Sequence, residues 1–527
     1  MVYSTVVLSG GLGERFHSSI PKPLNKINGV AMHEITIKSV QHLNPTIVLN
    51  PDIDVSSLCG YNIFILPWVT RSPIESLLIF LRSTPTIING GILVLDNDVH
   101  YKIPPINPNY SALIYIDDVS DSSSYSFINI DDYNVTAIAE KKRISNHAVV
   151  GYYFVSKEVA EQYCYQSIHM DYLSDVFSNM LHDHVVKAYL SDSVILGTPE
   201  DAKDYTVQRP TIATDNPTHK SIQYLRREGF NIVPYEHVPG AIVISSNAFN
   251  INSRNLMNEM GCFNHYNIAP NLIHNKNNNL FVQYSNVVKE GNVDGELYYY
   301  MNKPDEFKQY FPKLYSCTNK SLNLERINQP TYFQMLQYGV LTTQEMNRLY
   351  AVLDKMHAIP ATTITDADIV SFYRKKFHER KSMYPSSELH DRIESMINTY
   401  HPKVVGMIHG DCWFSNILRG PKMIDMRGKI DMDDTSNHFT LEGDMHYDYA
   451  KILQSILGLD HVVGGIPYNV NQELLQQFIG HLNAKDICYK NILKLTFYTI
   501  YCSIFAFDRQ EECWKFLKDS MVLYSPS

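Results

Sequence analysis

Thr5-Val6-Val7-Leu8-Ser9-Gly10-Gly11-Leu12-Gly13-Glu14-Arg15-Phe16 is an apolar run that breaks into a glycine-rich turn and a basic residue. Pro21-Lys22-Pro23-Leu24 follows it. Further along stand Pro45-Thr46-Ile47-Val48-Leu49, Asn62-Ile63-Phe64-Ile65-Leu66, and a run from Gly91 to Leu95 that ends in Asp96-Asn97-Asp98. Residues 30–42 and 73–82 between these runs have helical spacing and length. Apolar runs without strict alternation suit strands buried on both faces of a parallel sheet. The pattern predicts a doubly wound α/β domain over residues 1–205.

The chemistry follows from where these runs end. A glycine-rich turn after a first strand presents backbone N–H groups and lets phosphates approach closely. Arg15 and Lys22 add positive charge where a triphosphate must bend and a diphosphate must leave. In an open parallel sheet, ligands bind beyond the carboxyl ends of the strands. Asp96 and Asp98 stand at such an end, where carboxylates can hold Mg2+ against phosphate oxygens. The plain alternatives are an ordinary turn and a solvated strand end.

Gly10, Gly11, Gly13, Arg15 and Pro21-Lys22-Pro23-Leu24 resemble the signature of the sugar-1-phosphate and phosphocholine nucleotidyltransferase superfamily. The resemblance implies that Gly10, Gly11, Gly13 and Arg15 hold the phosphates of an NTP. It implies that Lys22 contacts the reacting phosphates, that Asp98 ligates the metal and that Asp96 assists. Thr70 to Glu75 lies where that family reads the base. Glu140-Lys141 is similar to its Glu-Lys pair before the acceptor pocket. Gly151-Tyr152-Tyr153-Phe154 and Leu196-Gly197-Thr198-Pro199-Glu200-Asp201 are similar to its later strand and closing turn. One position departs. Many sugar-specific members carry an aspartate two residues before the closing Gly-Thr, and here that residue is Ile195, with Asp192 three residues away. CTP or UTP is the expected donor.

Residues 206–275 are rich in Asn, Pro and His and are expected to form a linker or small subdomain. Ser221 to Glu228 is helix-like and Gly240 to Ser245 strand-like. Ser221 to Pro234 and Gly240 to Phe249 are faintly similar to the tail of capsule-type haloacid dehalogenase-like phosphatases. The Asp-x-Asp, Gly-Thr nucleophile motif does not occur there, so no phosphatase activity is expected.

Residues 276–527 read as a small β-containing lobe followed by a helical one, with helices at 342–358, 366–380, 386–399, 446–457, 471–482 and 486–506. Within it lies Ile408-His409-Gly410-Asp411-Cys412-Trp413-Phe414-Ser415-Asn416-Ile417-Leu418, then Met423-Ile424-Asp425-Met426-Arg427. Asp411 can accept the proton of a hydroxyl nucleophile, and Asn416 and Asp425 can hold Mg2+ on nucleotide phosphates. Protein kinases space these residue types the same way. The run resembles the aminoglycoside phosphotransferase and choline kinase family, with its His-Gly-Asp-x-x-x-x-Asn and Ile-Asp motifs. That resemblance implies a bilobal kinase-like (α+β) domain, ATP as donor, Asp411 as catalytic base, and Asn416 and Asp425 as metal ligands. Asp444 and Asp448, with Tyr449-Ala450-Lys451, are similar to the family's later Asp-Leu-Ala-Lys stretch. Together with Arg427 they are expected near the acceptor. Lys289 fits the strand lysine that holds ATP phosphates, with Glu296 as its partner. Glu325 and Ile327 fit the hinge that bonds adenine.

Composition narrows the classes. The chain has 527 residues, a net charge of −10 and 44% hydrophobic residues, which is ordinary globular composition with room for more than one core. It has no long basic run, so no nucleic-acid partner is expected. Its eight cysteines are scattered, which suits a reducing compartment. Ile492 to Phe507 is interrupted by Lys494, Thr496, Thr499 and Ser503, so a buried helix is expected rather than a membrane span. A cytoplasmic enzyme acting on small molecules and nucleotides is the expectation, with homo-oligomerisation left open. Two rivals stand beside it: one catalytic half with a regulatory one, and a non-catalytic nucleotide-binding scaffold.

Overall fold

The computed structural model describes residues 3–10, 22–27, 30–51, 61–84, 91–117, 125–157, 159–160, 162, 169–196, 286–327, 329–384, 388–430 and 438–524. It also describes backbone strands at 230–234, 241–246, 267–268, 271–274 and 278–282. Gly11, Gly13, Arg15, Ser221 to Glu228 and Gly197 to Asp201 lie outside the described residues, and of Lys22 only the backbone is described. The chain divides into two compact units, residues 1–269 and 270–527.

The first unit is built on a nine-stranded sheet. Its strands in chain order are β1 (Ser4–Ser9), β2 (Thr46–Leu49), β3 (Asn62–Ile65), β4 (Ile92–Asp96), β5 (Ser111–Asp117), β6 (Ser126–Asp131), β7 (Asn134–Glu140), β8 (His147–Val155) and β9 (Val186–Leu190). The spatial order is β3-β2-β1-β4-β8-β5-β9-β7-β6. The run β3-β2-β1-β4 is parallel, as the unalternating apolar stretches predict. From β8 onward the sheet is mixed: β8 runs antiparallel to both β4 and β5, and β9 pairs parallel with β5. The purely parallel expectation therefore stops at β4. Val7, Leu93, Leu95, Ile114, Tyr152 and Phe154 form one buried cluster across the centre of the sheet.

The helix Pro73–Ser83 starts where its sequence says it should. Ser72 is the N-cap and accepts from the Glu75 N–H, and Pro73 occupies the first turn. Ile74 through Leu81 are all buried. The helix Met32–Val40 also packs Met32, Ile35, Ile37 and Val40 inward.

The second unit opens with a five-stranded antiparallel sheet, in spatial order 271–274, 278–282, Asn286–Gly291, Ser321–Glu325 and Leu314–Thr318. This sheet begins at Asn271, inside the stretch expected to be a linker. The helix Asp294–Asn302 follows its third strand. The rest is helical, including Thr343–His357, Asp366–Lys381, Met445–Leu457, Gln472–Ala484, Tyr489–Ser503 and Gln510–Tyr524. The last of these, and the short helices Tyr332–Gln337 and Leu459–Gly464, were not in the sequence pattern. All 13 residues of Met445–Leu457 are buried. Among the described residues, no helix is long and apolar enough to cross a membrane.

Candidate functional site

In the first unit, register brings the glycine turn and the acids together. Leu8 of β1 pairs with Asp96 of β4, so Gly10 and the Asp96-Asn97-Asp98 turn leave the sheet side by side. Asn97 ties them, its Nδ2 donating to Ser9 Oγ at 3.0 Å. Gly10 is held against the helix Pro73–Ser83 and the loop before it: a Cβ there would come within 2.4 Å of Ser76 Oγ and 2.9 Å of Thr70 Oγ1. Gly151 (φ +69°) is packed as tightly, since a Cβ would lie 2.4 Å from Asp96 Oδ2. Its carbonyl accepts from Tyr101 Oη at 2.7 Å, and the same hydroxyl reaches the Asp96 carbonyl at 3.1 Å. Burial, then Asp96 and Asp98, push the Tyr101 phenol well above its ordinary range. For Tyr153 the order is burial, Asp96 and Glu140. Tyr101 and Tyr153 thus stay neutral beside these carboxylates.

Glu140 ends β7 and accepts from Ser174 Oγ at 2.6 Å and from Ser126 Oγ. Lys141 has φ +54° and turns its ammonium to the Tyr172 hydroxyl. Ile195 pairs with Val99, and the Leu196 N–H donates to the Asp98 carbonyl at 2.7 Å. Ile195 packs on the buried apolar cluster at the centre of the sheet, so the strand beside Asp98 supplies an apolar side chain there. Asp192 is exposed.

Glu75, expected near the base, stands at the start of the helix Pro73–Ser83. It is buried, and its oxygens accept from Trp68 Nε1 at 2.9 Å and from the Arg71 N–H at 3.0 Å. That carboxylate ties down the loop before the helix.

In the second unit, Lys289 Nζ donates to Glu296 Oε2 at 2.5 Å and to Asp425 Oδ1 at 2.7 Å. Burial opposes the Lys289 charge, but Asp425 and Glu296 outweigh it, so the ammonium is held. Asp425 sits at φ +60°, an energetically costly backbone for a non-glycine residue, and its side chain stays 43% exposed. The Ile424 N–H donates to the Asn416 carbonyl at 3.0 Å, which sets Asp425 beside Asn416. Asn416 Nδ2 donates to the Asp411 carbonyl at 3.0 Å and to Asp411 Oδ2 at 3.2 Å, turning the amide oxygen the other way. Burial pushes the Asp411 carboxyl up, yet Lys451 and Arg427 together hold it below its ordinary range.

Asp448 and Asp444, expected near the acceptor, are both buried. Asp448 is 0% exposed and accepts from the N–H groups of His409 and Gly410, each at 2.9 Å. His357 Nε2 stands 3.1 Å from it. Asp444 caps the helix Met445–Leu457 and accepts from Tyr400 Oη at 2.5 Å, Lys403 N at 3.0 Å and Tyr373 Oη at 3.1 Å. Asp448 positions the loop that carries Asp411, and Asp444 ties the start of the helix Met445–Leu457 to Tyr373 and to residues 400–403. Glu325 accepts from the Lys313 N–H at 3.1 Å, and Ile327 follows its strand. Lys451, which the sequence reading named only as the end of the Tyr449-Ala450-Lys451 stretch, joins the site with its Nζ 3.1 Å from Asp411 Oδ1. Its signal was its place one helical turn after Asp448.

Among the described residues, no group of three or more His, Cys, Asp or Glu could hold a metal unaided. Magnesium is commonly held by one or two carboxylates plus substrate phosphates, and it prefers hard oxygen donors. Asp96 with Asp98, and Asp425 with Asn416, fit that donor set.

No protein-family model and no curated protein matches the chain. Among solved structures, it is similar to a nucleoside-diphosphate-sugar pyrophosphorylase from Vibrio cholerae (17% identity, 38% of this chain and 98% of that one, TM-score 0.32). It is also similar to the CTP:phosphocholine cytidylyltransferase of Streptococcus pneumoniae (15% identity, 38% and 97%, TM-score 0.32). A UTP-bound UGPase from Acinetobacter baumannii gives 14% identity, 43% and 99% coverage, and a TM-score of 0.32.

Proposed function

We propose that this chain is a bifunctional enzyme. The second unit phosphorylates a small hydroxyl compound (a sugar, polyol or amino alcohol) with ATP. The first unit couples a phosphorylated metabolite to CTP or UTP and releases diphosphate. For the second unit the supporting observation is the arrangement of Lys289, Glu296 and Asp425 beside the Asp411–Asn416 pair. For the first it is the register that sets Gly10 beside Asp96 and Asp98.

In the kinase reaction the acceptor hydroxyl oxygen bonds to the γ-phosphorus of ATP, the bond from that phosphorus to the β–γ bridging oxygen breaks, and ADP leaves. The hydroxyl proton passes to the Asp411 carboxylate, which Lys451 and Arg427 keep ionised until then. Lys289 holds nucleotide phosphate, and Glu296 fixes its direction. Magnesium, when bound by Asp425 and Asn416, neutralises phosphate charge. In the transferase reaction a phosphate monoester oxygen bonds to the α-phosphorus of the NTP and diphosphate leaves with the α–β bridging oxygen. Protein groups there position two anions that repel each other. Arg15 and Lys22 supply positive charge, Glu140 and Lys141 face the acceptor, and Asp96 and Asp98 are the metal ligands of this reading.

The test is a pair of variants in the full chain. Asp98→Asn should abolish diphosphate release from CTP or UTP while leaving ADP formation, and Asp411→Asn should do the reverse. Loss of both activities in either variant, or of neither, rejects the two-site assignment.

A further inference from the structure

The guanidinium of Arg427 is underused. Among the described residues it makes one hydrogen bond, from Nη2 to Tyr447 Oη at 2.9 Å, and has no carboxylate within ion-pair distance. A guanidinium carries five N–H donors in a rigid fork that suits carboxylate or phosphate. Its backbone is fixed from two sides. The Arg427 N–H donates to the His409 carbonyl at 3.0 Å, and a Cβ on Gly410 would sit 2.7 Å from Arg427 Cβ. The side chain is only partly buried, so a ligand can reach it.

Lys451 stands on Asp411, which also acts on Arg427 from beyond ion-pair distance, so among the described residues the positive groups here outnumber the carboxylates paired with them. Lys376 adds a third positive group within electrostatic reach of Tyr447. The Tyr447 ring is already occupied as a cation surface, with Arg427 Cζ 4.8 Å and Lys451 Nζ 5.8 Å from its centroid. An ammonium group brought here would meet like charge and a π-face already taken, so the tyrosines do not form a free aromatic cage.

We propose that the acceptor phosphorylated beside Asp411 carries its own oxyanion, a carboxylate or a phosphate, and that Arg427 binds it. This rests on the kinase reading of the second unit and narrows its acceptor to a hydroxy acid or a hydroxy phosphate. Choline and amino alcohols are thereby disfavoured as substrates. Arg427 becomes the specificity-determining residue of that site.

The test is isothermal titration of the full chain, loaded with Mg2+ and a non-hydrolysable ATP analogue, with charge-matched probes. One set is D-gluconate, sorbitol 6-phosphate, sorbitol and 1-amino-1-deoxysorbitol. The other is glycerate, glycerol 3-phosphate, glycerol and 3-amino-1,2-propanediol. At least one oxyanion member should bind tenfold or more tightly than its amine counterpart, and the carboxylate and phosphate members tell the two sources apart. Arg427→Gln should erase that preference and Arg427→Lys should keep part of it, each checked for native melting. Amines binding as well as oxyanions, no probe binding at all, or an unchanged preference in Arg427→Gln would overturn the proposal. Failure of the ATP analogue itself to bind would sink the kinase reading beneath it. Analogue binding without charge preference would sink this inference alone.

Discussion

Lys451 Nζ lies 3.1 Å from Asp411 Oδ1, placed there by the same buried helix whose Asp448 accepts the His409 and Gly410 N–H groups. One helix therefore sets both the conformation of the loop and the charge of its acid. A base can take a proton only when ionised, and burial alone would raise the Asp411 carboxyl. Lys451→Met should move the acid limb of the kcat/KM profile for phosphoryl transfer to higher pH by about one unit or more. A pH–rate profile checks this, and an unmoved limb would remove Lys451 from the role.

Lys289→Met leaves Glu296 buried without its cation. Breaking a buried pair in this way costs about 3 kcal/mol, less whatever is recovered when Glu296 takes up a proton. The melting temperature should fall and ATP affinity should be lost. Lys289→Met combined with Glu296→Gln should regain part of the stability and none of the affinity. Calorimetric melting with ATP titration separates these effects.

Asp444 gives a pH signature. Burial pushes its carboxyl up to about 6, although Tyr400, Lys403, His446 and Tyr373 donate to it. An acid whose folded pKa is raised binds protons more readily in the native state. Its stabilising contribution is complete below the ordinary carboxylate range and is lost as pH rises through about 6. The loss is on the order of 2–3 kcal/mol. Asp444→Asn cannot titrate, so its melting temperature relative to the parent should rise between pH 4 and pH 7. A constant difference across that window would contradict the shift.

Gly428 and Gly420 form a controlled comparison. Both have positive φ, +62° and +98°. A Cβ on Gly428 would lie 1.7 Å from the Gly295 carbonyl oxygen, whereas one on Gly420 meets nothing within 4 Å. Gly420→Ala should cost about 1 kcal/mol from backbone strain alone. Gly428→Ala should cost well over 2 kcal/mol, because backbone must move. Chemical denaturation of both variants measures the difference.

Local signals carried the elements that sequence could place. The uninterrupted apolar runs at Thr5 to Leu8 and Gly91 to Leu95 became central parallel strands, because burial on both faces leaves no alternation to read. The helix from Pro73 was legible in the spacing and length of residues 73–82. Sequence could not show that β8 turns the sheet antiparallel, since strand direction is set by long-range pairing and leaves no local mark. At the candidate sites, residue type and spacing brought Lys289, Glu296, Asp411, Asn416 and Asp425 to notice. They could not separate a carboxylate that faces a ligand from one that organises backbone. Glu75, Asp444 and Asp448 all accept from backbone N–H groups, a role that residue type alone does not display.

The helix Met445–Leu457 has no solvent-facing side, and its 13 residues are all covered by the surrounding chain. Its amides therefore have no local opening route and should exchange with deuterium only when the whole unit unfolds. They would serve as a clock for that event, and any ligand that slows the clock would be reporting on the loop the helix supports.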